Sequence, residues 1–168
     1  MKNKRAFLGV MATLMVMMTV GVNALPALAV EPPPPIFGEP LSGRATFSDA
    51  IDLKIKISHH GTETVVVNTG DPSQTVVVRY TVQPGAQFPW HTHAGPVVVN
   101  VVSGALVYID SEGCAEHTYA AGQAFIDAGH GHVHSAVNRT DAPTVLMATF
   151  FAAPASGPLL IPVDPVAC

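Results

Sequence analysis

Basic side chains are scarce in this sequence. Eight Lys and Arg stand against twelve Asp and Glu, and three of the eight (Lys2, Lys4 and Arg5) fall in the first five residues. The other five form no patch, which excludes nucleic acid as a partner, because its binding draws on clustered Lys and Arg at phosphates. No G-x-S-x-G turn is present to carry a serine nucleophile, and there is no P-loop or dinucleotide fingerprint. Glycosidase chemistry requires two carboxylates across one bond; Asp127 is acidic and near the histidine segments described below, but has no evident partner in the sequence. No stretch after residue 30 carries a helical period, and no repeat of solenoid length occurs.

Cysteine is also sparse, at two residues, Cys114 and Cys168. Their meaning depends on the first segment. A basic head, an apolar run over residues 7–22, Pro26 and the small pair Ala27 and Ala29 make residues 1–29 a secretory signal peptide, cut after Ala29. The run is marginal for a membrane span, which needs roughly 20 apolar residues; an uncleaved anchor is the alternative. Cleavage leaves five basic and twelve acidic residues, no expected membrane contact, and a periplasmic or extracellular location. In an oxidising compartment disulfides persist, so a bridge from Cys114, in a turn-like segment, to the terminal Cys168 is the economical reading of an even count. Two free or intermolecular thiols are the other reading.

Residues 30–43 read as a spacer, since Pro32 to Pro35 offer no backbone donors. From Arg44 the sequence turns to short runs rich in Val and Thr, at 53–57, 63–68, 75–83, 97–102, 105–109, 124–126, 133–138 and 144–151. Gly, Pro, Asn and Asp separate them. β-branched residues suit a pleated surface, and short strands at this spacing predict an all-β sandwich or barrel over residues 44–153. The run 97–102 reads as a strand covered on both faces, or as one lining a barrel and packing outward as well. Residues 154–168 read as an extended tail over the domain.

The chemistry-bearing residues are histidines. His91 and His93 are spaced i, i+2, and on a strand such residues face one side and can converge on one ion. Alone the pair is a weak signal. A second segment about forty residues on places His130, His132 and His134 at alternate positions among glycines. Two such segments in one small domain are hard to explain as packing, and imidazole suits Zn, Cu, Fe and Ni. His59 and His60 are adjacent, so on a strand they face opposite ways, and they read as structural; His130 reads as a solvated turn residue.

These segments resemble the two motifs of the cupins, a jelly-roll superfamily. The first, G-x5-H-x-H-x3,4-E-x6-G, maps onto Gly85, His91, His93 and Gly104, with Val97 where the family has Glu. The second, G-x5-P-x-G-x2-H-x3-N, maps onto Gly122, Gly131, His134 and Asn138, with Gly129 in place of the Pro and one extra residue. The resemblance covers residues 75–151. It implies a double-stranded β-helix (jelly-roll barrel) with His91, His93 and His134 as ligands to one divalent transition metal (Fe, Mn, Zn, Ni or Cu). Such a site resembles the three-histidine non-haem iron sites of some cupin dioxygenases; the loss of the carboxylate at Val97 equally fits a retired site. His132 is a candidate fourth ligand or acid/base, or a turn residue. Trp90, Phe88 and Phe125 are candidates for a pocket wall, with core packing the default. The expected function is to act on, or merely hold, a small organic molecule, by oxidoreductase, dioxygenase or isomerase chemistry or without turnover. A homodimer is compatible with the resemblance. Ordinary imidazoles would release the metal as pH falls through about 6.5.

Overall fold

The computed structural model describes residues 35–58, 64–69 and 74–168. The chain comprises two units, residues 1–31 and 32–168. The expected signal peptide with its cleavage after Ala29, residues 32–34 of the spacer, His59, His60, Gly61 and the turn at 70–72 all lie outside the described residues.

No helix occurs among the described residues. The strands are β1 (Ile36–Pro40), β2 (Ala45–Thr46), β3 (Leu53–Ile57), β4 (Val65–Thr69), β5 (Gln74–Val82), β6 (Gln87–Thr92), β7 (Val97–Ser103), β8 (Ala105–Asp110), β9 (Glu116–Ala120), β10 (Ala124–Asp127), β11 (His134–Val137), β12 (Thr144–Phe150) and β13 (Ile161–Pro162). One sheet runs β1-β5-β12-β7-β10, with β2 also on β5, and the facing sheet runs β13-β6-β11-β8-β9. From β5 to β8 and again from β10 to β13 the chain changes sheet at each step, which winds it into a jelly-roll, double-stranded β-helix. A separate hairpin pairs β3 with β4.

Alternation of side chains across the strands builds the core. Val76 and Val78 of β5, Val97, Val99 and Val101 of β7, and Leu146, Ala148 and Phe150 of β12 point inward onto Phe88, Leu106 and Ala136 of the facing sheet. Each buried Val, Leu or Phe contributes about 1.5–3 kcal/mol. The two-sided cover expected of 97–102 is absent: Asn100 and Val102 are exposed and only the odd-numbered valines are buried. That cover belongs to β8, where Leu106 to Ile109 are all buried because Val107 and Ile109 pack with Val137 and Trp90 in a second cluster.

The segments before and after the barrel both lie against its strands. Ile36–Pro40, expected within the spacer, is an edge strand on β5, with Phe37 and Gly38 opposite Thr81 and Tyr80. The tail carries β13, which pairs with Thr92 and His91 of β6, and Val163 N–H donates to Trp90 O at 2.9 Å. Cys114 and Cys168 form a disulfide, which fastens the tail's last residue to the β8–β9 turn.

One turn needs glycine for two reasons. Gly104 joins β7 to β8 at φ +76°, and a Cβ there would stand 2.5 Å from Thr144 Oγ1 and 3.0 Å from Thr144 Cα. Thr144 is itself buried and bonded to both backbone groups of Ala105. Gly122 has a similar φ of +84° but open space around it.

Urea unfolding should therefore separate the two positions. Gly122→Ala costs about 1–2 kcal/mol, the left-handed penalty alone, and Gly104→Ala costs distinctly more. The Cys114→Ser/Cys168→Ser pair should lose about 2–4 kcal/mol by the same measurement, because the bridge closes a long loop in the unfolded chain.

Candidate metal centre

The centre is set by the pairing of β6 with β11, in which His134 stands directly opposite His91. His93 follows His91 by two residues and returns to the same face. The rings are mutually adjacent: centroid separations are 4.8 Å for His91 and His93, 4.3 Å for His91 and His134, and 5.2 Å for His93 and His134. All three are buried, at 3%, 6% and 4% exposure. One nitrogen from each lies within 4.8 Å of the others, within reach of a shared ion.

A bulge shapes the surroundings of His91. Between the pairs His91↔His134 and Phe88↔Ala136, Pro89 and Trp90 of β6 face Ser135 alone. Proline has no N–H to lose at such a point, and the Pro89 carbonyl accepts from His91 Nδ1 at 2.7 Å. Ser135 fills the interrupted ladder, donating to Phe88 O at 2.8 Å and accepting from Gln87 Nε2 at 2.9 Å. His93 Nδ1 donates to Leu159 O at 2.9 Å, so the tail orients the second imidazole. With both Nδ1 atoms donating, Nε2 of each ring is the lone-pair nitrogen, the tautomer that a ligating histidine held by a carbonyl presents. His134 Nδ1 is 3.1 Å from Asp127 Oδ2, and no other partner reaches this buried nitrogen. The donor set is all neutral nitrogen, which suits a first-row transition metal.

Electrostatics agree with that set. Burial, helped by His134 and His93, lowers the His91 pKa to about 3; burial also lowers that of His93. His91 and His93 therefore resist protonation below the ordinary imidazole range.

Asp127 has no partner legible in the sequence, yet it is the most heavily bonded side chain of the centre. It ends β10, is 1% exposed, and receives Tyr108 Oη at 3.0 Å and His132 Nδ1 at 2.7 Å on Oδ2. Gly129 N–H donates to Oδ1 at 2.8 Å. Burial pushes its pKa up, but the bonds from His132 and Gly129 and the nearness of His134 outweigh it and hold the carboxyl well below the usual range. His132 is tied at both ends, its Nε2 lying 3.3 Å from Asp110 Oδ2. Its bond to Asp127 raises its pKa to about 9 despite partial burial. With Asp127 and His134, His132 forms a second group whose ligand atoms lie within 4.8 Å of one another. His130 is an exposed turn residue at φ 52°.

Above the histidines lies a cavity of about 40 Å³ walled by Tyr80, Phe88, Tyr108, Phe125, Phe150 and Leu160, room for a few waters at ~10–15 Å³ each. Phe88 and Phe125 thus wall the pocket, while Trp90 packs in the second cluster. Asn138 bonds backbone at a strand end, donating to Val82 O and Ala142 O.

The pH dependence of the metal-free fold follows in sign. Unfolded histidine titrates near 6.5. Between that pH and about 3 the unfolded chain binds more protons than folded His91 and His93, so stability falls as pH drops through this window. His132 acts oppositely: its contribution is full below about 6.5 and is lost as pH rises through about 9. Thermal melts of metal-free protein should peak near pH 6.5 and fall on both sides, and His132→Gln should flatten the alkaline limb alone.

Comparison with known proteins places this geometry. The cupin domain matches residues 78–150. No curated protein matches. Similar solved structures include an uncharacterized conserved protein with a double-stranded β-helix domain from Klebsiella pneumoniae (27% identity, 52% of this chain and 74% of that one, TM-score 0.44). A sugar phosphate isomerase from a cupin superfamily, from Silicibacter pomeroyi, is 34% identical over 45% of this chain and 49% of its own, with TM-score 0.41; the chain spans about half of that protein's length. A cupin domain from Bordetella pertussis is 15% identical over 73% of this chain and 98% of its own, with TM-score 0.49. Residues 78–150 of this chain carry a cupin domain.

Proposed function

We propose that this protein is an exported cupin that binds one divalent transition metal through His91, His93 and His134 and uses the pocket above it to take up a small, uncharged organic molecule. The observation that carries the reading is the three buried imidazoles, two of them fixed by backbone carbonyls with Nε2 left for an ion. A bound metal would supply Lewis acidity or a redox site. The protein's own groups do the rest. Aromatic and aliphatic walls exclude water, and Tyr108, ring-stacked on His134 at 4.9 Å, presents its hydroxyl to Asp127 rather than to the cavity.

The lining also limits the ligand. Among the described residues it contains no Lys or Arg, and its one ionised group is Asp127. An anionic substrate such as a phosphorylated sugar would enter with no cation to pair against and a carboxylate beneath it. Burying a charge unpaired is strongly unfavourable, so the pocket favours a neutral molecule.

Export is supported by the Cys114–Cys168 bridge, since disulfides persist in oxidising compartments, together with the signal-like first 29 residues. A second reading, a module that holds its ligand without turnover, has one specific observation in its favour. His132, the candidate acid/base, has both ring nitrogens facing carboxylates, so neither is free for proton transfer to a ligand.

Elemental analysis of the mature protein, purified without tag or chelator, tests the proposal. One equivalent of a transition metal is expected in the parent and none in a folded His91→Ala/His134→Ala variant; no metal in the parent, even after reconstitution, refutes it.

A further inference from the structure

We infer that Asp127 supplies from β10 the carboxylate that Val97 of β7 lacks, so that the centre is three histidines with an acidic positioning residue behind His134. The inference rests on the metal reading above. Val97 and Asp127 are cross-strand partners in the β7–β10 ladder. Directly opposed residues have Cβ atoms about 4.5–5.5 Å apart and face the same side, and both side chains line the one cavity. A carboxylate lost from one strand is thus regained on its neighbour, at the same level of the barrel.

The placement of the carboxylate oxygens assigns the role. Oδ1 is used by Gly129 N–H, and Oδ2 accepts from Tyr108 Oη and His132 Nδ1. The same Oδ2 stands 3.1 Å from His134 Nδ1, a buried nitrogen that no other partner reaches. A proton on that nitrogen meets the negative oxygen, which leaves Nε2 of His134 as the lone-pair atom and gives all three rings the same tautomer. Carboxylate–histidine pairs of this kind orient the ring and raise its basicity as a ligand. Asp127 also brings one negative charge into a cavity whose ligands are otherwise neutral. His132, bridged from Asp127 to Asp110, is part of the frame that holds the carboxylate and does not itself line the cavity.

A close backbone contact keeps the frame in place. Gly129, at φ +65°, packs against the carbonyl of Gly95, with no room for a Cβ, and His130 N–H donates to His93 O at 2.9 Å. The loop that carries Asp127's partners is therefore clamped to the loop that carries His93.

The test is Zn²⁺ affinity, by competition with a chromophoric chelator, on full mature chains whose folding is checked by near-ultraviolet circular dichroism. Asp127→Asn should bind Zn²⁺ about 10–100-fold more weakly than the parent. Adding Val97→Glu to that variant should recover most of the loss, which a merely structural role for Asp127 would not allow. Val97→Glu alone should give no gain, because the carboxylate is already present. A folded Asp127→Asn protein with parental affinity overturns the inference. So does a gain of about tenfold or more from Val97→Glu alone, a comparison that decides the matter even where Asp127→Asn does not fold. A parent with no Zn²⁺ affinity removes the metal reading and this inference with it, whereas a parent that binds while Asp127→Asn binds equally well removes the inference alone.

Discussion

Antiparallel pairing of β6 with β11 is the constraint on which the centre depends. A slip of one residue would turn His134 to the outer face of its sheet, because side chains alternate with period two. Several contacts hold the register. Ser135 bonds both Phe88 O and Gln87, and at the far end Gly85 N–H donates to Asn138 O and Asn138 N–H to Ala86 O. The bulge at Pro89 and Trp90 lies between these anchors and the His91–His134 pair. Bulges re-aim side chains beside functional sites, and here the carbonyl freed by the bulge is the one that receives His91 Nδ1. Register, bulge and tautomer are linked in one short stretch of two strands.

The rest of the centre is governed by what an apolar barrel does to charge. Burial disfavours ionised imidazole, and His91 and His93 accordingly stay neutral in the folded protein. Asp127 remains ionised in the same interior because three donors surround it. Hydrogen bonds to the charged form offset the loss of water. Around these groups the walls are Phe, Tyr, Val and Leu, so the only strong fields in the cavity come from the histidines and one carboxylate. The tail completes the arrangement: Leu159 O fixes His93 and Leu160 joins the wall, while β13 and the disulfide hold the segment down.

Much of the fold was legible in the sequence because most of its strands alternate. Val- and Thr-rich runs with Gly and Pro punctuation marked β5, β7, β8, β10, β11 and β12 near their observed ends. β9 (Glu116–Ala120) escaped because an edge strand with exposed Glu116, His117 and Thr118 carries no apolar alternation. β1 escaped because Pro on both sides reads as spacer, yet prolines are tolerated at strand edges. The histidine triad followed from i, i+2 spacing and family motifs. Asp127 was named but left without a role, since Val97, Tyr108 and His132 reach it only through strand pairing and packing. Its one local signal was a carboxylate ending an apolar strand just before the second histidine segment. The backbone acceptor at Leu159 left no trace in sequence at all, as any residue type could supply that carbonyl.

X-ray absorption spectroscopy of the Zn²⁺-loaded protein tests the central claim most directly, because it counts the ligands around the ion. The account predicts three imidazole nitrogens at about 2.0–2.1 Å, reduced by one in a folded His93→Ala protein. A shell of oxygen alone, or one that keeps its imidazole count when His93 is removed, would contradict a centre built on His91, His93 and His134.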